Sequence, residues 1–424
     1  MTEERDANLH RYDEYIKIAD WLEAAEMPSA LVLTETLEPV GGREDIIFPP
    51  TYARNKKDAD HPYSINVLKF GDTVPALPGA ESNTCLIDSV GSQANRMENC
   101  FIDKPGQPNP LGELVPQIVV EAEGQSVNIL EAGHRIADAA VRFSALEEDA
   151  RAAIKAMADK GDAYALAQLA PTSLVFGFWD SRDTGYKSGR LLSSTIRAGN
   201  VCYVTRSAQF NPAFDVVYEG AQVVLREAGR SAQFNKPNDS EDGAGDESGT
   251  DAAESTVKSA RGNKDPLSQQ GLKAAPAPDT HGGVRVFGDI VRRTQLSLVG
   301  LRSLVALGND GQIDAGKTMK LRRYILGLAL VAARSQTDYK LREGCNLVGS
   351  LEKPPRAEVV YVDGRREPFD WQVAQVFGFA KLAAQDFGVQ AQAPRNVTFS
   401  VEKVRAAVKR EESKKPKKPA GSKK

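Results

Sequence analysis

The stretch from residue 231 to 283 constrains this 424-residue chain more than any other. Gly, Asn, Asp, Ser, Ala and Pro dominate it, and large apolar side chains are few. Seven acids and no Lys or Arg lie between Pro237 and Val257. Such a composition buries too little apolar surface to offset the entropy of ordering, so 231–283 is expected to be a disordered acidic linker or insertion. Order is expected to resume near Gly283. Ordered sequence is then confined to two pieces, 1–230 and 284–411, and the lysine-rich 412–424 reads as a disordered tail.

Charge is segregated along the chain. The formal net charge is −3, but without the seven acids of 237–257 it becomes about +4, since −3 + 7 = +4. The last twelve residues carry six lysines and no acid, whereas the first forty hold ten Asp/Glu against three Lys/Arg. Screening cuts distant charges off within roughly 10 Å, so local charge is what a phosphate backbone meets. A slightly negative total therefore does not exclude a nucleic-acid partner.

Four cysteines (Cys85, Cys100, Cys202, Cys345) form no CxxC pair and no disulfide-dense pattern, which points to a reducing compartment. The N-terminus, MTEERDANLHRYDEY, has neither a basic n-region nor an apolar run. The longest apolar candidate, Tyr324 to Ala333, is about half the ~20 residues a bilayer span needs. A cytoplasmic protein with no membrane partner is expected.

Helical spacing of Leu9, Tyr12, Ile16, Ala19 and Leu22 predicts an amphipathic helix over Asp6–Met27, ended by Pro28. Ala30–Leu37, Leu114–Val120, Val284–Ile290 and Glu358–Val362 read as strands. Gly41–Ala80 is loop-rich. Ala132–Ser144, Lys317–Ser335 and Phe369–Phe387 read as helices, as does Arg151–Leu169 with a break at Gly161. Ser173–Trp179 reads as a buried β segment. Strands alternate with helices without a regular βαβ rhythm, so the class is α+β.

The segment after that β run is the richest in binding chemistry. From Asp180 to Phe210 five basic residues (Arg182, Lys187, Arg190, Arg197, Arg206) face two acids, with Trp179, Tyr186, Tyr203 and Phe210 interleaved or adjacent. Guanidinium groups, hydroxyls and ring faces hold a nucleic-acid strand by its phosphates and stack its bases. Arg190–Phe210 reads as a basic hairpin with its turn at Ala198-Gly199-Asn200. In that register Arg206 faces Leu192, diagonal to Arg190, and Arg197 projects on the other face.

Two further motifs admit a plainer reading. Asp88–Arg96 sets Gln93 and Asn95 ahead of an arginine, as phosphate or base contacts or as a polar helix start capped by Asp88 or Ser92. In Gly133–Arg142 a helix would place Arg135, Asp138 and Arg142 on one outer face, as an ion-pair ladder or as phosphate contacts. His134 has no partner at metal-ligand spacing, and neither do His10, His61 and His281. No G-x-x-x-x-G-K-[ST] or G-x-G-x-x-G is present, so no nucleotide-driven enzyme is indicated. No catalytic, metal or cofactor site is expected.

Several segments together resemble one family: FPPT (48–51), CLIDSVGSQANRME (85–98), LVPQIVV (114–120), NILEAGHRIADAAVRFS (128–144), LAPTSLVFGFWDSR (169–182), STIRA (194–198) and VTRSAQF (204–210). They look like the RAMP backbone subunit of type I-G (formerly I-U) CRISPR–Cas Cascade surveillance complexes. The resemblance covers roughly residues 30–210 and leaves 231–283 and the tail outside. It implies a modified RNA-recognition-motif (ferredoxin-like) core with long insertions, split between 1–230 and 284–411. Such subunits polymerise along a guide RNA and present it to target DNA beside other Cascade subunits. A protruding thumb hairpin separates bases at intervals, a role for 190–210 or for another insertion such as Gly41–Ala80.

A subunit that holds any guide sequence should contact phosphates and 2′-hydroxyls. Arg96, Arg135, Lys187, Arg190, Arg197 and Arg206 are the expected phosphate contacts. Ser92, Gln93, Asn95 and Gln209 would bond sugar or backbone. Arg182 either binds RNA or pairs with Asp180. The alternatives are a metal-dependent RNA nuclease using Asp88, Asp180 or Asp183, and a scaffold that self-associates without RNA.

Overall fold

Strand pairing, not chain order, explains why the two ordered pieces belong together. The computed structural model describes residues 28–53, 62–67, 82–103, 107, 109–210, 215–219, 222–226, 275–336, 338–389 and 393–414, with Tyr12, Tyr15, Trp21 and Leu22. The elements that carry the argument are, in order, β1 (Pro28–Pro39), β2 (Asn83–Asp88), α1 (Val90–Glu98), β3 (Leu192–Gly199), β4 (Ile290–Ser297), α2 (Ala315–Ser335), β5 (Arg356–Tyr361) and α3 (Val373–Phe387).

These strands lie in the order β5–β1–β4–β3–β2, each antiparallel to its neighbours. Counting β1, β3, β4 and β5 as first to fourth, the order is 4-1-3-2, the split βαβ arrangement of a ferredoxin-like sheet. The protein is α+β. β1 comes from the first ordered piece and sits between β4 and β5 from the second, so neither piece completes the sheet alone. Cys345–Gly349 takes the far end of β1's edge, at Leu37–Pro39, while β5 takes Pro28–Thr34.

One sheet face is closed by a helical core. α2 is buried along most of its length, including Leu321, Tyr324, Ile325 and Leu328, because apolar residues surround it on nearly every side. α3 packs against it through Phe379 and Ala380, and Gly327 permits the approach: a Cβ there would lie 2.8 Å from the Ala380 backbone. Glu147–Lys160 ends on Gly161 at φ +73°, and Tyr164–Leu169 resumes beyond it, as the break predicted.

Contacts divide the chain into two units: 1–45, 63–201 and 286–424 form one, 46–62 and 202–285 the other. In the second, Val201–Phe210, Ala275–Val286 and Ile46–Ile47 make a three-stranded sheet, and Asp215–Glu219 pairs with Gln222–Arg226 as a hairpin.

Several expectations change. Ser173–Trp179 is not a strand: Pro171–Phe176 is a helix, buried at every residue, and only Phe178–Trp179 is extended. A run apolar on all sides has no period to read, and Pro171 at the first turn favours the helix. Ala132–Ser144 is not one helix but a 3-10 turn (Arg135–Ala137) and a short helix (Ala139–Arg142). Arg135 adopts φ +54°, and the Asp138 carboxylate accepts from the Ala140 N–H at 3.0 Å, restarting the helix there. Arg190–Phe210 is not a hairpin. Both edges of β3 are taken by β4 and β2, so Val201–Phe210 pairs with Ala275–Val286 instead.

Val284–Ile290 is two strands, ending at Val286 and starting at Ile290. Ala275–Val286 begins before Gly283, inside the stretch read as linker, and Val401–Lys414 is helical past Glu411. The helix expected at Asp6–Met27, the acidic tract 237–257 and the lysines from 415 onward fall mostly or wholly outside the described residues.

Candidate nucleic-acid interface

α1 is where sequence and structure diverge most usefully. Its N-terminus is capped by Ser89, whose Oγ accepts from the Ser92 N–H at 3.2 Å, rather than by Asp88 or Ser92. Gln93, Ala94, Met97 and Glu98 form its buried face. Asn95 is exposed, and Ser92 and Arg96 are half-buried.

Gln93 is therefore a core residue, which corrects its reading as an RNA contact. Its amide donates to Asp88 Oδ2 at 2.7 Å and accepts from Ser194 Oγ at 3.0 Å and Arg292 Nε at 3.1 Å. Asp88 is fully buried and accepts in addition from Arg96 Nε at 3.0 Å and Arg342 Nη2 at 3.1 Å. Arg96 also bonds the Leu341 carbonyl, so it has protein partners on two sides. Arg292, with no exposed side-chain surface, reaches Glu35 at 2.6 Å, and Tyr339 donates to the same carboxylate at 2.9 Å. A continuous buried polar chain thus runs from Tyr339 through Glu35, Arg292, Gln93 and Asp88 to Arg96 and Arg342. Each charge in it has a partner of opposite charge, the condition for tolerable burial.

Arg135 is likewise buried, not on an outer face. Its Nε bonds Glu98 at 2.8 Å, Nη1 the Gly177 carbonyl at 3.1 Å and Nη2 the Asn95 side chain at 3.4 Å. Burial pushes the Glu98 carboxyl up to about 7, against the opposing pull of Arg135. Burial also lowers the Arg135 pKa, opposed by Glu98 and assisted by the nearby charge of Arg190. Gly177, at φ +73°, could not carry a Cβ, which would lie 2.8 Å from the Ser188 carbonyl and 3.1 Å from Arg190. The clamp thereby holds together the exposed Asn95 and the backbone that bears Arg190.

Beyond Gly177 the chain presents its exposed cations. Phe178–Trp179 pairs with Lys187–Ser188, setting Trp179 opposite Lys187. Trp179 is 58% exposed, and the Lys187 ammonium sits 5.9 Å from its ring centre. The connecting turn is fixed by buried Asp180, whose Oδ2 accepts from the Thr184 N–H at 2.9 Å and hydroxyl at 2.7 Å. Arg182 does not pair with Asp180; it is exposed, as are Lys187, Arg190 and Arg197. Asp183 is bound by Arg151 at 2.6 Å.

Arg206 lies in the second unit, in Val201–Phe210. It is exposed, with its guanidinium 5.3 Å from the Phe48 ring centre, so the FPPT and VTRSAQF segments meet there. Gln209 is in the same strand, and its side chain lies outside the described residues.

The structure thus groups Asn95, Lys187, Arg190 and Trp179 around the Arg135 clamp, and turns Gln93 and Arg135 into supports. Arg292, Glu35, Tyr339 and Arg342 were missed by sequence reasoning: Arg292, Tyr339 and Arg342 lie on the far side of the insertion from Gln93 and Asp88, and Glu35 lies 257 residues from the Arg292 it pairs with, with no local motif. Among the described residues no group of three or more His, Cys, Asp or Glu side chains could hold a metal, and no helix is long and apolar enough to cross a membrane.

Residues 31–203 match the model of a family described as CRISPR-associated protein GSU0053. No curated protein matches the chain.

Proposed function

We propose, from the match of residues 31–203 to a CRISPR-associated family, that this chain is a RAMP-like subunit, the backbone subunit of a type I-G Cascade complex in the cytoplasm, coating guide RNA without cutting it. The observation that carries this reading is the exposed Lys187 against exposed Trp179, with Arg182, Arg190 and Arg197 exposed in the same segment. Free cations beside a stackable ring suit a single strand held by its backbone, irrespective of sequence.

The acids do not support the nuclease reading. Asp88 is buried among Gln93, Arg96 and Arg342, Asp180 is spent on its own turn, and Asp183 is paired with Arg151. The guide is then presented to target DNA, with further copies of this chain and other Cascade subunits as partners. The second unit, which enters the chain largely between β3 and β4, is the candidate thumb.

The test is binding of the purified chain to single-stranded RNAs of increasing length, with bound copies counted by mass photometry. Copy number is expected to grow stepwise with length, independent of sequence and weakened by salt. A fixed stoichiometry, or none, sinks the proposal. Incubating the assembled complex with target RNA and Mg²⁺ separates the enzyme: regular cleavage lost on Asp→Ala substitution would establish a nuclease.

A further inference from the structure

The face of the central sheet opposite the helical core carries cations that the matched segment does not contain. Alternation along a strand sends successive side chains to opposite faces. In β3 and β4 the residues Ser193, Thr195, Arg197, Val291, Arg293 and Gln295 are half-buried or exposed, while those between them are buried. An antiparallel sheet covered on one side commonly leaves its other side to water.

Register converts this alternation into a pattern. Arg293 lies opposite Thr195 of β3 on one side and Thr34 of β1 on the other, and Thr34 lies opposite Arg356 of β5. One row across four strands therefore reads Thr195, Arg293, Thr34, Arg356. Arg197 sits in the next row, opposite Val291, with Thr36 beyond. At about 4.8 Å between strands, Arg293 and Arg356 are roughly 10 Å apart, within reach of two long side chains.

The charges on this face are available. Arg197 and Arg293 are exposed and have no acid within 4.0 Å among the described residues. Arg356 is 69% exposed and shares one carboxylate, Glu358, at 3.6 Å with Arg366 at 3.4 Å. Thr34, Thr36 and Thr195 add hydroxyls beside the arginines, and none of the residues in these two rows is an aromatic ring. Such a surface bonds phosphates and ribose hydroxyls but offers no platform for stacking bases.

We propose that this face is a phosphate track for a single RNA strand, extending the guide surface from β3 onto β4 and β5, beyond the matched segment. The inference rests on the guide-coating reading and names where the strand runs.

The test compares the full chain with its Arg293→Ala/Arg356→Ala variant, using polyuridylate and a deoxythymidylate strand of equal length across a salt series. The variant is expected to bind RNA at least tenfold more weakly. Its log–log salt slope should fall by about 1.4, at ~0.7 per lost single-strand phosphate contact. Its urea midpoint should be unchanged. Photo-crosslinks from 4-thiouridine RNA should appear on peptides of β3, β4 and β5. If the parent binds RNA while the variant retains its affinity and slope, the track is overturned and the guide-coating reading stands. If the parent binds no RNA, both fall. Equal affinity for the DNA strand, with equal loss in the variant, overturns the assignment to RNA.

Discussion

Arg292 and Arg293 are neighbours in one strand and have opposite fates. Arg292 is wholly buried, bonded to Glu35, Gln93 and Ser194. Arg293 is exposed, with no acid within 4.0 Å among the described residues. The same side chain is a structural rivet on one face and a solvent-facing cation on the other. The difference is strand parity alone. A basic residue's role in this protein follows from the face it occupies, not from the local density of charge, and the same contrast separates Arg135 from Arg190.

The sharpest way to break the contrast is Arg292→Met, which strands the Glu35 carboxylate in the interior. Removing one partner of a buried pair costs about 3–5 kcal/mol, so urea denaturation should show a large loss. Arg293→Ala, by contrast, should stay within about 0.5 kcal/mol of the parent, as surface changes do. Comparable losses in the two variants would refute the assignment of faces.

A smaller effect is expected at the hinge of the Arg135 clamp. Gly177→Ala forces a Cβ to 2.8 Å from the Ser188 carbonyl at φ +73°, and strain of this kind costs on the order of 1–3 kcal/mol. The thermal midpoint measures it, and RNA affinity should fall with it because Arg190 shares that backbone. An unchanged midpoint would mean the turn can open without cost.

The mildest effect is a pH slope. Glu98 titrates near 4.5 when unfolded and about 7 when folded, so the folded state binds its proton more tightly. Its contribution to stability is then fully present below about pH 4.5 and fades as pH rises through 7. Glu98→Gln, which keeps the shape and removes the titration, should flatten stability across that window. A parent whose stability instead rises over the same range would contradict the dominance of burial over the Arg135 pull.

Local signals were legible wherever one short segment sufficed. β1 was readable from Ala30–Leu37, α2 from Lys317–Ser335, and the Gly161 break from its place between two helical runs. The basic segment after Trp179 was readable as exposed, because Lys187, Arg190 and Arg197 interrupt the apolar pattern. The helix at Pro171–Phe176 was not, since uniform burial erases the period that distinguishes helix from strand. The hairpin was misread because turn chemistry near Asn200 reports a change of direction, whereas pairing depends on which strand edges are vacant.

Composition and patterning by themselves determined the α+β class, the segregation of charge, and the segments that match a CRISPR-associated family. They determined that residues 182–206 are rich in cations. Only the tertiary structure decided which cations face out. β4 reaches β1 across an insertion, and that pairing alone fixes the parity of Arg292 and Arg293. The left-handed turn at Arg135, held by Glu98 and Gly177, draws an apparently surface arginine inward. Both decisions depend on partners hundreds of residues away or on a single backbone angle, and neither leaves a trace in local periodicity.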